Sequence, residues 1–116
     1  MRENGRAVGF IAAWDWPEGY LEIGSAWVDA RHRGIGHGNR LVVEIVGLVR
    51  ALVGDRAFAV TTNPRFVAAA LHAGMRLHPD WHGPIPWAVT CGKCDFFAES
   101  DKPGCPKRNA SCRLLL

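Results

Sequence analysis

The stretch DARHRGIGHGNRLVVEIV, residues 29–46, constrains the fold of this chain more than any other. Gly34, Gly36 and Gly38 stand at alternate positions between two arginines and a long apolar run. Glycine reaches left-handed backbone conformations without steric cost and lets other groups approach the main chain closely. Ahead of the glycines, YLEIGSAWV (20–28) reads as a strand, with apolar residues of both parities and therefore two covered faces. Behind them a helix is expected from Asn39 to Asp55. Its polar or small residues Arg40, Glu44, Gly47, Arg50 and Gly54 step by three and four and trace one narrow stripe. Leu41, Val42, Ile45, Val46, Leu48, Val49 and Leu52 fill the rest, which predicts burial over most of the circumference. Gly47, mid-helix, costs about 1 kcal/mol relative to alanine, and so reads as a close packing contact.

A strand that passes through glycines into a helix can bind an anion. The first N–H groups of a helix have no internal partner, and the helix dipole favours negative charge beside them. Arg31 and Arg33 add positive charge. The dinucleotide fingerprint G-x-G-x-x-G fails here, because the third glycine comes one residue early. The phosphate loop G-x-x-x-x-G-K-[ST] fails as well, because Asn39 and Arg40 follow Gly38. The alternative to anion binding is a glycine-rich turn that only lets the helix pack close to its strand.

The neighbouring segments supply a sheet. AVGFIAAW (7–14) reads as a buried strand after the turn-like ENG, and DWPEG (15–19) reads as a hairpin loop. RAFAVTT (56–62) is a third strand. Asn63 then reads as an N-cap with Pro64 at the first helical position, and Gly74 ends that helix. MRLHPDWHGPIPWAVT (75–90) reads as short irregular strands. Strands alternating with helices predict an α/β sheet flanked by helices. With 48% hydrophobic and 22% charged residues the chain is globular rather than disordered. The net charge of +3 suits an anionic ligand without indicating nucleic acid. No apolar run approaches the roughly 20 residues of a membrane span, and no signal peptide is evident, so a cytoplasmic location is expected.

Arg33-Gly34-Ile35-Gly36-His37-Gly38 fills the signature [Q/R]-x-x-G-x-[G/A]. The stretch thus resembles the GNAT superfamily of acyl-CoA-dependent N-acyltransferases. Val28, five residues before the arginine, resembles the exit of the family's fourth strand. TTNPRFVAAALHAGM resembles its second block, an asparagine after strand five and a helix closed by a Gly-hydrophobic pair, here Gly74-Met75. The resemblance covers about residues 3–80. It implies a mixed, mostly antiparallel sheet with splayed parallel strands and flanking helices; a small four-cysteine tail lies beyond the resemblance. It further implies acetyl-CoA as co-substrate, with its pyrophosphate on the backbone amides of Gly34, Ile35, Gly36, His37 and Gly38. Pantetheine would lie between the strands near Val28 and Asn63, and an amine acceptor would attack the thioester directly.

Glu22 is the candidate base, the single carboxylate within the two apolar strands and six residues before Val28. Some family members carry a catalytic glutamate at this position. Apolar surroundings would raise its pKa. The alternative is a glutamate at a strand end, facing water or paired with an arginine. The tyrosine that many relatives use as the acid is replaced by Ala70, and the one tyrosine of the chain is Tyr20. His72 and His82 are the possible substitutes. The family's usual first strand and two helices have no counterpart ahead of Glu3, so the acceptor half is undefined: the alternatives are a minimal member, a fragment, or a homodimer in which each protomer borrows this wall from its partner. A non-catalytic coenzyme A-binding module, or a zinc-tailed adaptor, is the alternative function.

Cys91, Cys94, Cys105 and Cys112 are all the cysteines, spaced C-x2-C-x10-C-x6-C. The CGKC pair has zinc-knuckle spacing, and four thiolates suit a closed tetrahedral site. The second pair is wider than the usual two to four residues. Reduced thiols, or disulfides in an exported protein, are the alternatives. Composition divides the chain into a core over residues 1–90 and a Cys-rich tail over 91–116, with zinc as the tail's expected ligand.

Overall fold

The computed structural model describes residues 1–78 and 112–116. Asn4 and Gly5, both at positive φ, turn a two-residue hairpin between β1 (Arg2–Glu3) and β2 (Arg6–Ala7). Both central residues of a type I′ turn need positive φ, which Asn-Gly supplies. Next come β3 (Gly9–Asp15) and β4 (Leu21–Val28), paired antiparallel. Then follow α1 (His37–Val53), β5 (Ala57–Thr61), α2 (Pro64–His72) and β6 (Arg113–Leu115). The four longer strands form one sheet in the order β3-β4-β5-β6. Only β4 and β5 run parallel, and the other two pairings are antiparallel. The expected mixed, mostly antiparallel sheet with flanking helices is therefore present.

Strand alternation assigns the faces. Ile23, Ala57, Ala59 and Leu115 point to one side, where Val42, Val46 and Val49 of α1 and Phe66, Ala69 and Ala70 of α2 cover them. Phe58 and Leu114 point to the other side and pack with Trp16, Tyr20, Val60 and Cys112.

Gly9 explains how closely α1 lies on β3. A Cβ there would stand 3.0 Å from the Trp27 carbonyl oxygen and 3.1 Å from a Leu41 methyl. Gly47 does not have the packing role expected of it, since a Cβ would meet nothing within 4 Å. The expected burial of α1 is corrected too. Leu41, Val42, Val46 and Val49 are buried, but Leu48 and Leu52 are 63% and 77% exposed. Sheet and α2 occupy one side of this helix, and no described element reaches the other.

The end of α2 follows its sequence signals. The Asn63 Oδ1 accepts from the Arg65 N–H at 2.9 Å and caps the helix. At the other end the Met75 N–H donates to the Ala70 carbonyl and the Gly74 N–H to that of Leu71. Gly74, at φ +96°, closes this pair of reverse bonds. Arg50 of α1 donates to the Gly74 carbonyl at 3.3 Å and to that of Leu116 at 3.2 Å, tying both helices to the last strand.

Residues 112–116, which composition groups with the polar tail, belong to the core sheet. Leu114 and Leu115 are fully buried, and β6 pairs with β5 from Ala59 to Thr61. Leu77 bridges Leu115 on the far side, the described part of the irregular strands expected after residue 75.

Candidate functional site

The parallel pairing of β4 and β5 has two steps, Leu21 with Ala57 and Glu22 with Phe58. Beyond Glu22 the strands diverge: β4 stays paired with β3 up to Val28, while β5 pairs with β6 from Ala59 to Thr61 before the chain enters α2. A cavity of about 740 Å³ opens in this fork. Ala26, Trp27 and Val28 of β4 line it, with Arg33, Gly34, Gly36, Gly38 and Asn39 at the loop and start of α1. Val42 forms its floor, and Asn63, Arg65, Phe66 and Ala69 form the α2 side.

The glycine loop is held by its own arginine. The Nε of Arg33 donates to the Val28 carbonyl at 2.8 Å, fixing the loop to the end of β4. Gly34 and Gly36 have φ of +80° and +91°, a region that costs other residues strain. A Cβ at either would meet nothing within 4 Å, so backbone conformation and not crowding demands glycine here. The Arg40 N–H makes the first bond of α1, to the Gly36 carbonyl at 3.0 Å. The amides of His37, Gly38 and Asn39 therefore have no partner within the helix. With the dipole of a 17-residue helix behind them, they form a positive end beside the cavity.

Six of the eight residues expected to hold the coenzyme line this cavity: Val28, Arg33, Gly34, Gly36, Gly38 and Asn63. Ile35 and His37 do not. Ile35 is 67% exposed, and the His37 ring lies 6.2 Å from that of His32, so only their backbone amides belong to the loop. Arg31 is also elsewhere. It pairs with Asp29 at 3.6 Å and lines a smaller cavity with Glu3, Arg6 and His32. The second cation at the fork is instead Arg65, in the first turn of α2. Its place directly after the Asn63-Pro64 cap was the available signal.

His32 clamps the entrance of this loop to the N-terminal hairpin. Its Nε2 lies 2.6 Å from Glu3 and its Nδ1 2.9 Å from Asp29. The hydrogen bond from His32, helped by the charge of Arg31, holds the Asp29 carboxyl below the usual range.

Glu22 stands at the apex of the fork, on the sheet face away from both helices. It makes no ion pair among the described residues, and its Oε2 is buried without a hydrogen-bond partner among them. Burial holds its carboxyl above the ordinary value of 4.5. The arginine pairing weighed as an alternative is thus not found among the described residues. Ala70 is fully buried in the helix-side core, His72 is exposed at the end of α2, and Tyr20 packs beside Phe58. None of these three lines the cavity.

Cys91, Cys94, Cys105 and His82 lie outside the described residues. Cys112 is half-buried against Phe58 and Leu114. Among the described residues no three His, Cys, Asp or Glu side chains gather as a metal site, and no helix is long and apolar enough to cross a membrane.

Residues 1–75 match the acetyltransferase (GNAT) family, about two thirds of the chain, and the protein belongs to that family. Its members are generally acyltransferases that take acetyl-CoA as co-substrate. No curated protein and no solved structure matches the chain significantly.

Proposed function

We propose that this chain is an N-acetyltransferase that moves an acetyl group from acetyl-CoA to an amine. One observation carries the reading: the glycine loop borders the fork cavity, and at the apex of the same fork, outside the cavity lining, stands a desolvated carboxylate with no hydrogen-bond partner for its Oε2 among the described residues. The amides of Gly34 to Gly38, with Arg33 and Arg65, hold the pyrophosphate. Val28 and Asn63 border the slot for the pantetheine arm. Glu22 takes a proton from the acceptor ammonium, freeing the nitrogen lone pair. The nitrogen then bonds to the acetyl carbon as the carbon–sulfur bond breaks. The second proton that the nitrogen sheds on becoming an amide passes through water to the departing thiolate, because the cavity-lining side chains among the described residues include no acid besides the two guanidinium groups.

The test is thermal shift with acetyl-CoA against NAD and ATP, then thiol release with an amine panel. Stabilisation by acetyl-CoA alone and amine-dependent thiol release are expected. No stabilisation by acetyl-CoA would end the reading. The closed position at Ala70 favours a second reading, a coenzyme A-binding module without turnover. Binding without thiol release would select it. Zinc on Cys91, Cys94, Cys105 and Cys112 is part of the proposal on the strength of the C-x2-C spacing alone. Metal content near zero in both the parent chain and Cys91→Ser would remove it.

A further inference from the structure

The sheet face that carries Glu22 is paved with aromatic rings. Trp14 is the direct cross-strand neighbour of Glu22 on β3, and Phe58 its neighbour on β5. The Trp14 indole reaches along the strand, its Nε1 4.0 Å from where a Cβ of Gly24 would stand. That glycine leaves a side-chain-free step next to the carboxylate. Further along, past a bulge that adds one residue to β4 between Gly24 and Trp27 and so returns Trp27 to this face, Phe10 and Trp27 form a tilted pair with centroids 5.8 Å apart. Trp14, Phe10 and Trp27 are 54%, 52% and 39% exposed, an unusual amount of open aromatic surface on one face.

The charge on this face is equally specific. By strand alternation, Glu22 is its one carboxylate among the described residues. Arg56, stacked over Tyr20 at 5.8 Å, is the cation nearest in this register, and it forms no ion pair with Glu22. A buried carboxylate oxygen without a partner calls for a donor. Open rings on the β3 side, with Trp14 the direct neighbour, call for a cation with a flat apolar body. One negative charge matches a monoamine better than a polyamine, whose further charges would find only rings.

We propose that this face is the acceptor site for arylalkylamines, with the ammonium group at Glu22 and the aryl ring against Trp14. The proposal deepens the transferase reading and rests on it for turnover, but binding tests it independently. The indole lies over the bare backbone of Gly24, so the aryl ring stacks on the indole's open side, and Trp27, which also borders the fork cavity, joins the two sites.

The experiment titrates the full chain with 2-phenylethylamine, butylamine and spermidine by calorimetry, in the parent, Trp14→Ala and Glu22→Gln forms. Trp14 is more than half exposed, so its removal leaves the fold intact. Phenylethylamine is expected to bind at least about tenfold more tightly than butylamine. Trp14→Ala should erase that ratio while leaving butylamine and acetyl-CoA binding unchanged. Glu22→Gln should weaken both amines alike. Spermidine or butylamine binding as tightly as phenylethylamine would overturn the proposal, as would a ratio that survives Trp14→Ala. Thiol release separates the two readings. Efficient turnover that prefers spermidine would uphold the transferase and overturn the aromatic acceptor site. Trp14-dependent phenylethylamine binding, with neither acetyl-CoA binding nor thiol release, would uphold this site and overturn the transferase.

Discussion

Glu22 and Phe58 are the last paired residues of β4 and β5, and the strands part immediately beyond them. The candidate base thus sits where the sheet is complete on one side and open on the other. Its surroundings are apolar enough to desolvate it, and the cavity of the fork opens beyond it.

This position makes Glu22 costly when ionised. Its folded pKa lies above the ordinary 4.5, so the native state holds more protons than the unfolded chain in the interval between. Stability is full below that ordinary value and falls as pH rises through the folded pKa. Glu22→Gln should abolish this decline, read as a melting temperature that no longer drops across the interval. The same variant should lower kcat/KM by about 10²–10⁴-fold, and the parent's rate should rise with pH through the folded pKa of Glu22.

Asp29 has the opposite sign. Its carboxyl is held below the ordinary 3.8, chiefly by the bond from His32. The stability it contributes is present above that value and is lost as pH falls through the folded pKa. Asp29→Asn should flatten the acid side of the melting profile and leave the profile above pH 5, roughly, without slope from this group.

Two glycines separate crowding from propensity. Gly9→Ala should destabilise, because its Cβ would press on the Trp27 carbonyl at 3.0 Å, and backbone cannot swing away as a side chain can. Gly47→Ala meets open space and should stabilise by about 1 kcal/mol through helix propensity alone. Melting temperatures moving in opposite directions would verify both.

Gly36→Ala isolates the loop. With φ at +91° and nothing to clash with, the cost is conformational, about 1–2 kcal/mol. A loop that relaxes out of this conformation loses its amide cradle. Acetyl-CoA should then stabilise the variant less than it stabilises Gly47→Ala, measured by thermal shift at equal ligand concentration.

Local signals in the chain were enough for β3, β4, β5 and both helices. The Asn63-Pro64 cap, the Gly74 stop and the Asn4-Gly5 turn each rest on one or two residues with a narrow conformational role, and each appears in the fold. Which faces are covered was not legible. The stripe on α1 showed where water must reach, but not that Leu48 and Leu52 would also be left outside. That depends on which neighbours exist, a tertiary matter. Arg31 and Arg65 exchanged roles for the same reason. Arg31 is nearer the glycines in sequence but is drawn to Asp29, whereas Arg65 arrives from 34 residues beyond Arg31 because β5 runs parallel to β4. The RLLL run at 113–116 was hidden by its polar surroundings, which outweighed three leucines in a reading by composition.

That last strand has a consequence for dissecting the protein. The family match ends at residue 75, yet the edge of β5 is sealed by backbone contributed some forty residues later. A fragment cut at a composition boundary would keep the glycine loop, Glu22 and both helices, and still strip Leu114 from Phe58 and Leu115 from Met75 and the helices. Its exposed strand edge would be a template for self-association. Loss of activity in such a fragment would therefore report an unsealed sheet rather than a catalytic tail, whereas supplying the missing strand as a separate peptide could restore the fold in trans.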